Sequence, residues 1–233
     1  MIHGVGDGAI ATRAESRLGS DATHRVLELA NEPSTFEGHP DLAAGRELDG
    51  RSSFLFRVND DGGWRVVHLR VWRGRGGLAG MADRFRLAPG FSMWAKAKAL
   101  LDAGIATPRP LLAAERRPGA LEWSCFASEQ LDAAIGLDLV LQQVASWSEA
   151  RQTNFARNLA VEFRKLRRQK LRIDELSSAS FLVRGVPDFE FELFVCEPEV
   201  TAIGGDISSA QIESRILFCL PAKAVKAFFA GLG

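Results

Sequence analysis

The chain has 233 residues, of which 46% are hydrophobic and 25% charged. That is enough to bury one sizeable core or two small ones, and it excludes a disordered or fibrous chain. Lys+Arg and Asp+Glu both number 29, so bulk charge gives no pull toward nucleic acid or a membrane surface, and no apolar run is long enough to span a bilayer.

The elements follow in chain order. Residues 1–20 are rich in Gly, Ala and Ser without an apolar run, which does not fit a signal peptide. Four glycines in the first 19 residues predict a loose start, and residues 1–45 are expected to be poorly ordered or accessory. A short helix is expected over 23–31. Pro33, Gly38 and Pro40 mark 32–46 as loop. SFLFRV (53–58) and WRVVHLRVW (64–72) are strand candidates joined by Asn-Asp-Asp-Gly-Gly, a hairpin signal. Residues 73–80 are basic and glycine-rich, hence loop. Helical spacing covers 91–103, stopped by Gly104. Thr-Pro-Arg-Pro (107–110) must be extended. Strands are predicted over 111–115 and 122–130.

The second half changes period. Helices are predicted over 138–145 and 149–169, the longer with Phe155, Leu159, Phe163 and Leu166 as its buried stripe. Short strands follow at 181–183 and 189–195, and 209–231 closes the chain as a helical region. Strands first and helices later predict an α+β chain, with a sheet-rich lobe over 46–131 and a short helical lobe over 132–233. Cys125, Cys196 and Cys219 lack CxxC spacing and sit among apolar residues, so all three are read as small core residues in a reducing compartment. The four histidines have no metal spacing.

Four segments carry possible chemistry. Gly50 precedes a strand, where a loop brings backbone N–H groups to phosphates; alone it reads as an ordinary β-turn. Arg70 projects a cation from a strand; alone it reads as a surface residue. LRRQKLRIDELSSASFLV (166–183) runs from helix through an acidic loop to a strand, which suits a carboxylate beside a reacting hydroxyl or a plain connection. Glu197 and Glu199 end a strand on one side of an extended chain, as metal ligands or as a polar end.

In this order the segments resemble the lipopolysaccharide kinase family, the Kdo and core heptose kinases of protein kinase-like fold. The likeness covers about 48–230. It is carried by RVVHLRVWRGRGGL (65–78), by WAKAKALLDAGIATPRPLL (94–112) and by the spacing over 159–183. The resemblance implies a two-lobed kinase fold, ATP and Mg2+ as cofactors and a sugar hydroxyl as acceptor. Its phosphate cation falls on Arg70, with Gly50, Glu129 and Leu131 beside the nucleotide. Its catalytic acid falls on Glu175, or on Asp174 with a one-residue slip. Its metal ligands fall on Ser180, where an Asn is expected, and on Glu197, with Glu199 as a second acid.

The departures are consistent. The helix acid that holds the phosphate cation would fall at 94–95, yet no acid occurs there before Asp102. Each Asp-to-Glu change extends the carboxylate by about 1.5 Å, and misplacing a catalytic group by about 1 Å costs roughly 10²-fold in rate. The reading is therefore a pseudokinase acting as a binding or regulatory module, the alternative being an active, divergent sugar kinase that recruits Asp206 or Glu199 as a further ligand. The partners it admits are a nucleotide, an anionic glycolipid or a protein, in the cytoplasm with at most peripheral membrane contact and no nucleic acid. The basic run Arg164, Lys165, Arg167, Arg168, Lys170 and Arg172 suits a helix C-terminus or an anionic docking surface.

Overall fold

The computed structural model describes residues 12–32, 42–48, 51–60, 63–74, 87–118, 120–187, 189–198 and 201–232. The chain divides into two compact units, Met1–Ala97 with Arg109–Gln130 and Lys98–Pro108 with Leu131–Gly233.

The first unit is a six-stranded antiparallel sheet. Its strands are β1 (Thr12–Ser16), β2 (Leu42–Leu48), β3 (Arg51–Asp60), β4 (Gly63–Arg73), β5 (Pro110–Arg116) and β6 (Trp123–Glu129), in the order β1-β5-β6-β4-β3-β2. The predicted hairpin forms, with Asp60 opposite Gly63. Alternation then sorts the two faces. Val67, Leu69 and Val71 of β4 are fully buried, and they pack with Phe56, Val58, Cys125 and Ala127 against Val26 and Leu29 of helix α1 (Ser20–Asn31). Each such side chain contributes about 1.5–3 kcal/mol by leaving water, and a one-residue slip of β4 would expose all of them. Asn31 fastens α1 to the sheet: its Oδ1 accepts from Arg116 Nη1 at 2.7 Å and from Trp123 Nε1 at 3.1 Å. Helix α2 (Pro89–Asp102) brings Met93 and Ala97 against Phe126, with Trp72 and Trp94 beside them.

Two stretches differ from expectation. Residues 12–22 hold β1 and the start of α1, and 42–48 form β2 rather than loop. Both strands lie at sheet edges and are held by main-chain pairing to β5 and β3, which composition does not register.

The second unit is built around helix α4 (Glu149–Arg168). Ser148 caps it by accepting from Arg151 N–H, and its predicted stripe is buried. Phe163 meets Phe181 at 5.4 Å and Phe228 of helix α6 (Ala222–Leu232) at 5.9 Å between ring centroids. Helix α3 (Leu137–Val144) and Leu100 and Ile105, on either side of Gly104, join the same core. Gly104 takes φ +75, as a helix stop requires.

Small sheets complete this unit: β10 (Glu190–Val195), β9 (Phe181–Val186) and β7 (Ala134–Gly136) in that order, and β8 (Leu171–Ile173) with β11 (Thr201–Ile203). The buried Glu162 of α4 accepts from the Leu193 N–H of edge strand β10 at 3.3 Å and pairs with Lys165. The short helix α5 (Ser209–Ile212) starts with a capping box, Ser208 with Gln211, and continues as a π-turn over Glu213–Leu217.

The cysteines separate. Cys125 is buried, and burial pushes its thiol up to about 12. Cys196 is half-buried and Cys219 is exposed, so the reading of all three as core residues fails. Cys219 sits in the turn after the π-turn, where only Ile216, Leu217 and Leu220 point inward.

Candidate active-site cleft

The hairpin of β9 and β10 builds this region. Phe181 pairs with Val195, so the residue preceding β9 lies beside those following β10. Cys196 N–H donates to the Ser180 carbonyl at 2.9 Å, and the Ser180 hydroxyl donates to Glu197 Oε2 at 3.2 Å. Ser180 itself is buried. Ahead of it the loop from β8 turns through a single 3₁₀ turn, Ser178–Ser180. The Ser177 hydroxyl oxygen accepts from Ala179 N–H, and the Ser177 carbonyl accepts from Ser180 N–H. Ser177 thereby does the work of an N-cap.

A cleft of about 590 Å³ opens here, within the second unit. One set of lining residues is the loop Asp174, Glu175, Leu176 and Ser177 together with Glu197; the other is Gln211, Ser214 and Arg215. Asp174 is exposed and paired with Arg172 at 2.8 Å. Glu175 and Arg215 are exposed and have no hydrogen-bond or ion-pair partner among the described residues.

Three positions singled out from sequence thus come together around Ser180, Glu197 and Glu175, with Asp174 at the same cleft. Gly50 and Glu199 lie outside the described residues. In the first unit, Arg70 is half-buried in the middle of β4, opposite Ser53 on one side and Phe126 on the other. Glu129 is paired with Val67, three positions along, so the register sets it on the face opposite Arg70. Leu131, in the second unit, is buried.

At the place where the resemblance expects a helix acid, α2 carries Trp94, packed near Trp72 and Phe126, with the Arg17 guanidinium 5.5 Å from the Trp94 ring centroid. Next to Arg70, the half-buried His68 shares a 2.7 Å hydrogen bond with Ser53. Burial, then Arg70 and Arg51, lower its pKa to about 4.

Mg2+ is held octahedrally by hard oxygens, usually with one or two carboxylates. Glu197 already accepts from Ser180, and Asp206 is exposed and paired with Arg167 at 3.2 Å. Among the described residues, no group of three or more His, Cys, Asp or Glu could hold a metal ion. Within the basic run, Lys165, Arg167 and Arg172 are each committed to a carboxylate.

Sequence reasoning missed Gln211, Ser214 and Arg215. The signal was present, because Ser208-x-x-Gln211 is a capping-box pattern that fixes a helix start and sets 211, 214 and 215 on one face.

A β-rich unit, a helical unit and an acidic turn between short strands are the parts of a protein kinase-like chain. The Lipopolysaccharide kinase (Kdo/WaaP) family matches residues 41–194, and the chain belongs to that family. No curated protein matches it. A solved structure described as "WaaP in complex with acyl carrier protein" is similar at TM-score 0.50 and 18% identity, covering 93% of this chain and 79% of that one. The chain therefore has the protein kinase-like fold. Among the described residues, no helix is long and apolar enough to cross a membrane.

Proposed function

We propose that the chain is a pseudokinase of the lipopolysaccharide kinase family, a cytoplasmic binding or regulatory module. One observation carries the reading: the Ser180 hydroxyl donates a hydrogen bond to Glu197. An Asn at that position turns a carbonyl oxygen toward a metal, whereas a hydroxyl that donates to the neighbouring carboxylate competes with the metal for it. The absence of an acid from α2 before Asp102 supports the same reading, because phosphoryl transfer in this fold depends on positioned charge. In this reading Arg70 is a retained cation, and Gly50, Glu129 and Leu131 hold the places that the resemblance gives beside a nucleotide.

An active, divergent sugar kinase is the second reading, favoured by the presence of Glu175 and Glu197 at one cleft. It assigns Glu175 as base, or Asp174 in its place, with Glu197, Ser180 and Glu199 at the metal.

Thermal unfolding with ATP, with and without Mg2+ or Mn2+, separates the two, since a ligand of the native state raises stability by mass action. A pseudokinase without a metal site gives no metal-dependent shift and no phosphate transfer to sugar acceptors. A metal-dependent shift that vanishes in Glu197→Ala would mean a metal site rebuilt around glutamates, and phosphate transfer to a sugar acceptor on top of it would establish the active kinase instead. Purified acyl carrier protein, the partner of the WaaP structure, is the first protein ligand to titrate.

A further inference from the structure

We propose that the outer face of helix α4, with the tip of the β9–β10 hairpin beside it, docks the chain on a bilayer surface rich in anionic phospholipid. The inference goes beyond the pseudokinase reading and does not depend on it, because this face carries none of the positions matched to catalysis.

Helical spacing makes the face. Arg157, Val161, Arg164 and Arg168 follow one another at steps of four, three and four, so they form one stripe along α4. The buried stripe of Phe155, Leu159, Phe163 and Leu166 lies on the other side. Arg157, Val161 and Arg168 are exposed and Arg164 is half-buried. None of the three arginines has a hydrogen-bond or ion-pair partner among the described residues, and the Arg164 Nε is buried without one.

Neighbouring carboxylates are committed elsewhere. The two acids of α4 are Glu149, paired with Lys223, and Glu162, which holds Lys165 and the Leu193 N–H. In the rest of the basic run, Arg167 pairs with Asp206 and Arg172 with Asp174. The stripe therefore keeps a local positive charge in a chain whose formal net charge is zero.

Apolar groups complete the face. Phe189 N–H closes the hairpin turn by donating to the Val186 carbonyl at 2.9 Å. Asn158, one turn before Val161, donates to the Phe189 carbonyl at 2.7 Å, which holds the tip against α4 next to the stripe. Phe189 is 79% exposed, Val186 56% and Val161 43%. The acids of β10 do not cancel the arginines. Phe191, Leu193 and Val195 turn into the core, so Glu190 and Glu192 alternate to the far face of the hairpin, where Glu192 pairs with Arg184. A folded acidic protein would need a socket for Phe189. A bilayer needs none: apolar side chains enter the acyl boundary while guanidinium forks stay with headgroup phosphates.

The test is sedimentation of the full chain with vesicles of phosphatidylcholine alone and of equimolar phosphatidylcholine and phosphatidylglycerol. The expected result is binding to the anionic vesicles only, weakened by added salt. Arg157→Gln and Arg168→Gln, at exposed positions, each weaken binding about fivefold, and the matching lysine variants retain it. Phe189→Ser weakens binding and leaves its salt dependence in place. Arg25→Gln and Arg109→Gln, which remove the same charge from the first unit, change nothing. Urea midpoints verify that each variant is folded. A soluble poly-glutamate peptide at matched charge leaves the chain on the vesicles.

No sedimentation with anionic vesicles, equal sedimentation with both kinds, or a loss in Arg25→Gln and Arg109→Gln as large as in the stripe variants would each overturn the proposal. Displacement by poly-glutamate together with an unchanged Phe189→Ser would overturn it in favour of an acidic protein. The ATP titration is read separately, since metal-dependent stabilisation sinks the pseudokinase reading and leaves the docking face as it stands.

Discussion

The two units use one device and differ in where their chemistry lies. Each fastens a helix to a strand through a single polar acceptor. In the first unit it is Asn31, which takes the indole N–H of the buried Trp123. In the second it is Glu162, which takes the N–H of Leu193 on an edge strand. Beyond that they diverge. The first unit's faces are long strands sorted by alternation, so its cation, Arg70, is fixed by register. The second unit's acids sit on turns between strands of three to six residues, where one hydroxyl or one methylene decides what a carboxylate touches. Substitutions that change chemistry while sparing the fold therefore collect in the second unit.

The largest way to test that division is through the cores. Phe56→Ala in the first unit and Phe163→Ala in the second each empty a fully buried site. Each is expected to cost about 3–5 kcal/mol, read as a fall in the urea midpoint. Phe163 stands between Phe181, which follows Ser180 directly, and Phe228, so its loss should also speed hydrogen exchange of the Ser180 and Cys196 amides at the cleft, while Phe56→Ala should spare them at temperatures where both variants remain folded.

Acid sharpens the comparison from the other side. His68 is held neutral, its pKa lowered from 6.5 to about 4 by burial and then by Arg70 and Arg51. The unfolded chain takes up the proton first, so stability falls as pH drops from 6.5 toward 4. The loss attributable to His68 is on the order of 3 kcal/mol. His68→Gln removes that part of the slope and leaves the carboxylate contributions of the rest of the chain in place. Urea midpoints of the two proteins should therefore converge or cross between neutral pH and pH 4; parallel curves would refute the assignment.

The helix anchors come next in size. Asn31→Ala leaves the Trp123 indole without its acceptor, and Glu162→Ala leaves the Leu193 amide without one. Each is expected to cost about 1–3 kcal/mol, and Glu162→Gln, which keeps an acceptor, less. If Asn31→Ala is silent while Glu162→Ala is not, the first unit does not depend on α1 in the way its packing indicates.

How much of this was legible in the sequence follows the same division. Val67, Leu69 and Val71 alternate, Asn-Asp-Asp-Gly-Gly turns, and Phe155, Leu159, Phe163 and Leu166 repeat at helical spacing; each is a periodic signal, and each was read correctly. The strands of three residues at 134–136, 171–173 and 201–203 are too short to repeat a period and went unseen. Edge strands β1 and β2 were hidden by glycines, because main-chain pairing leaves no pattern of side chains. At the cleft, the order of motifs led to Glu175, Ser180 and Glu197. The hydrogen bond from Ser180 to Glu197 depends on hairpin register, and Arg215 depends on a capping box that was passed over within a broadly helical stretch.

The smallest effect is the most discriminating. Arg172 and Asp174 are more than half exposed, and an exposed pair is worth about 0–1 kcal/mol, so Arg172→Gln should leave the urea midpoint almost unmoved. It nevertheless releases a carboxylate at the cleft. If the chain is a pseudokinase, the variant should show no phosphate transfer while its stability stays level. If Asp174 is instead the base of an active kinase, freeing it should raise phosphate transfer. Stability and transfer measured on this one variant pull the two readings apart without disturbing either core.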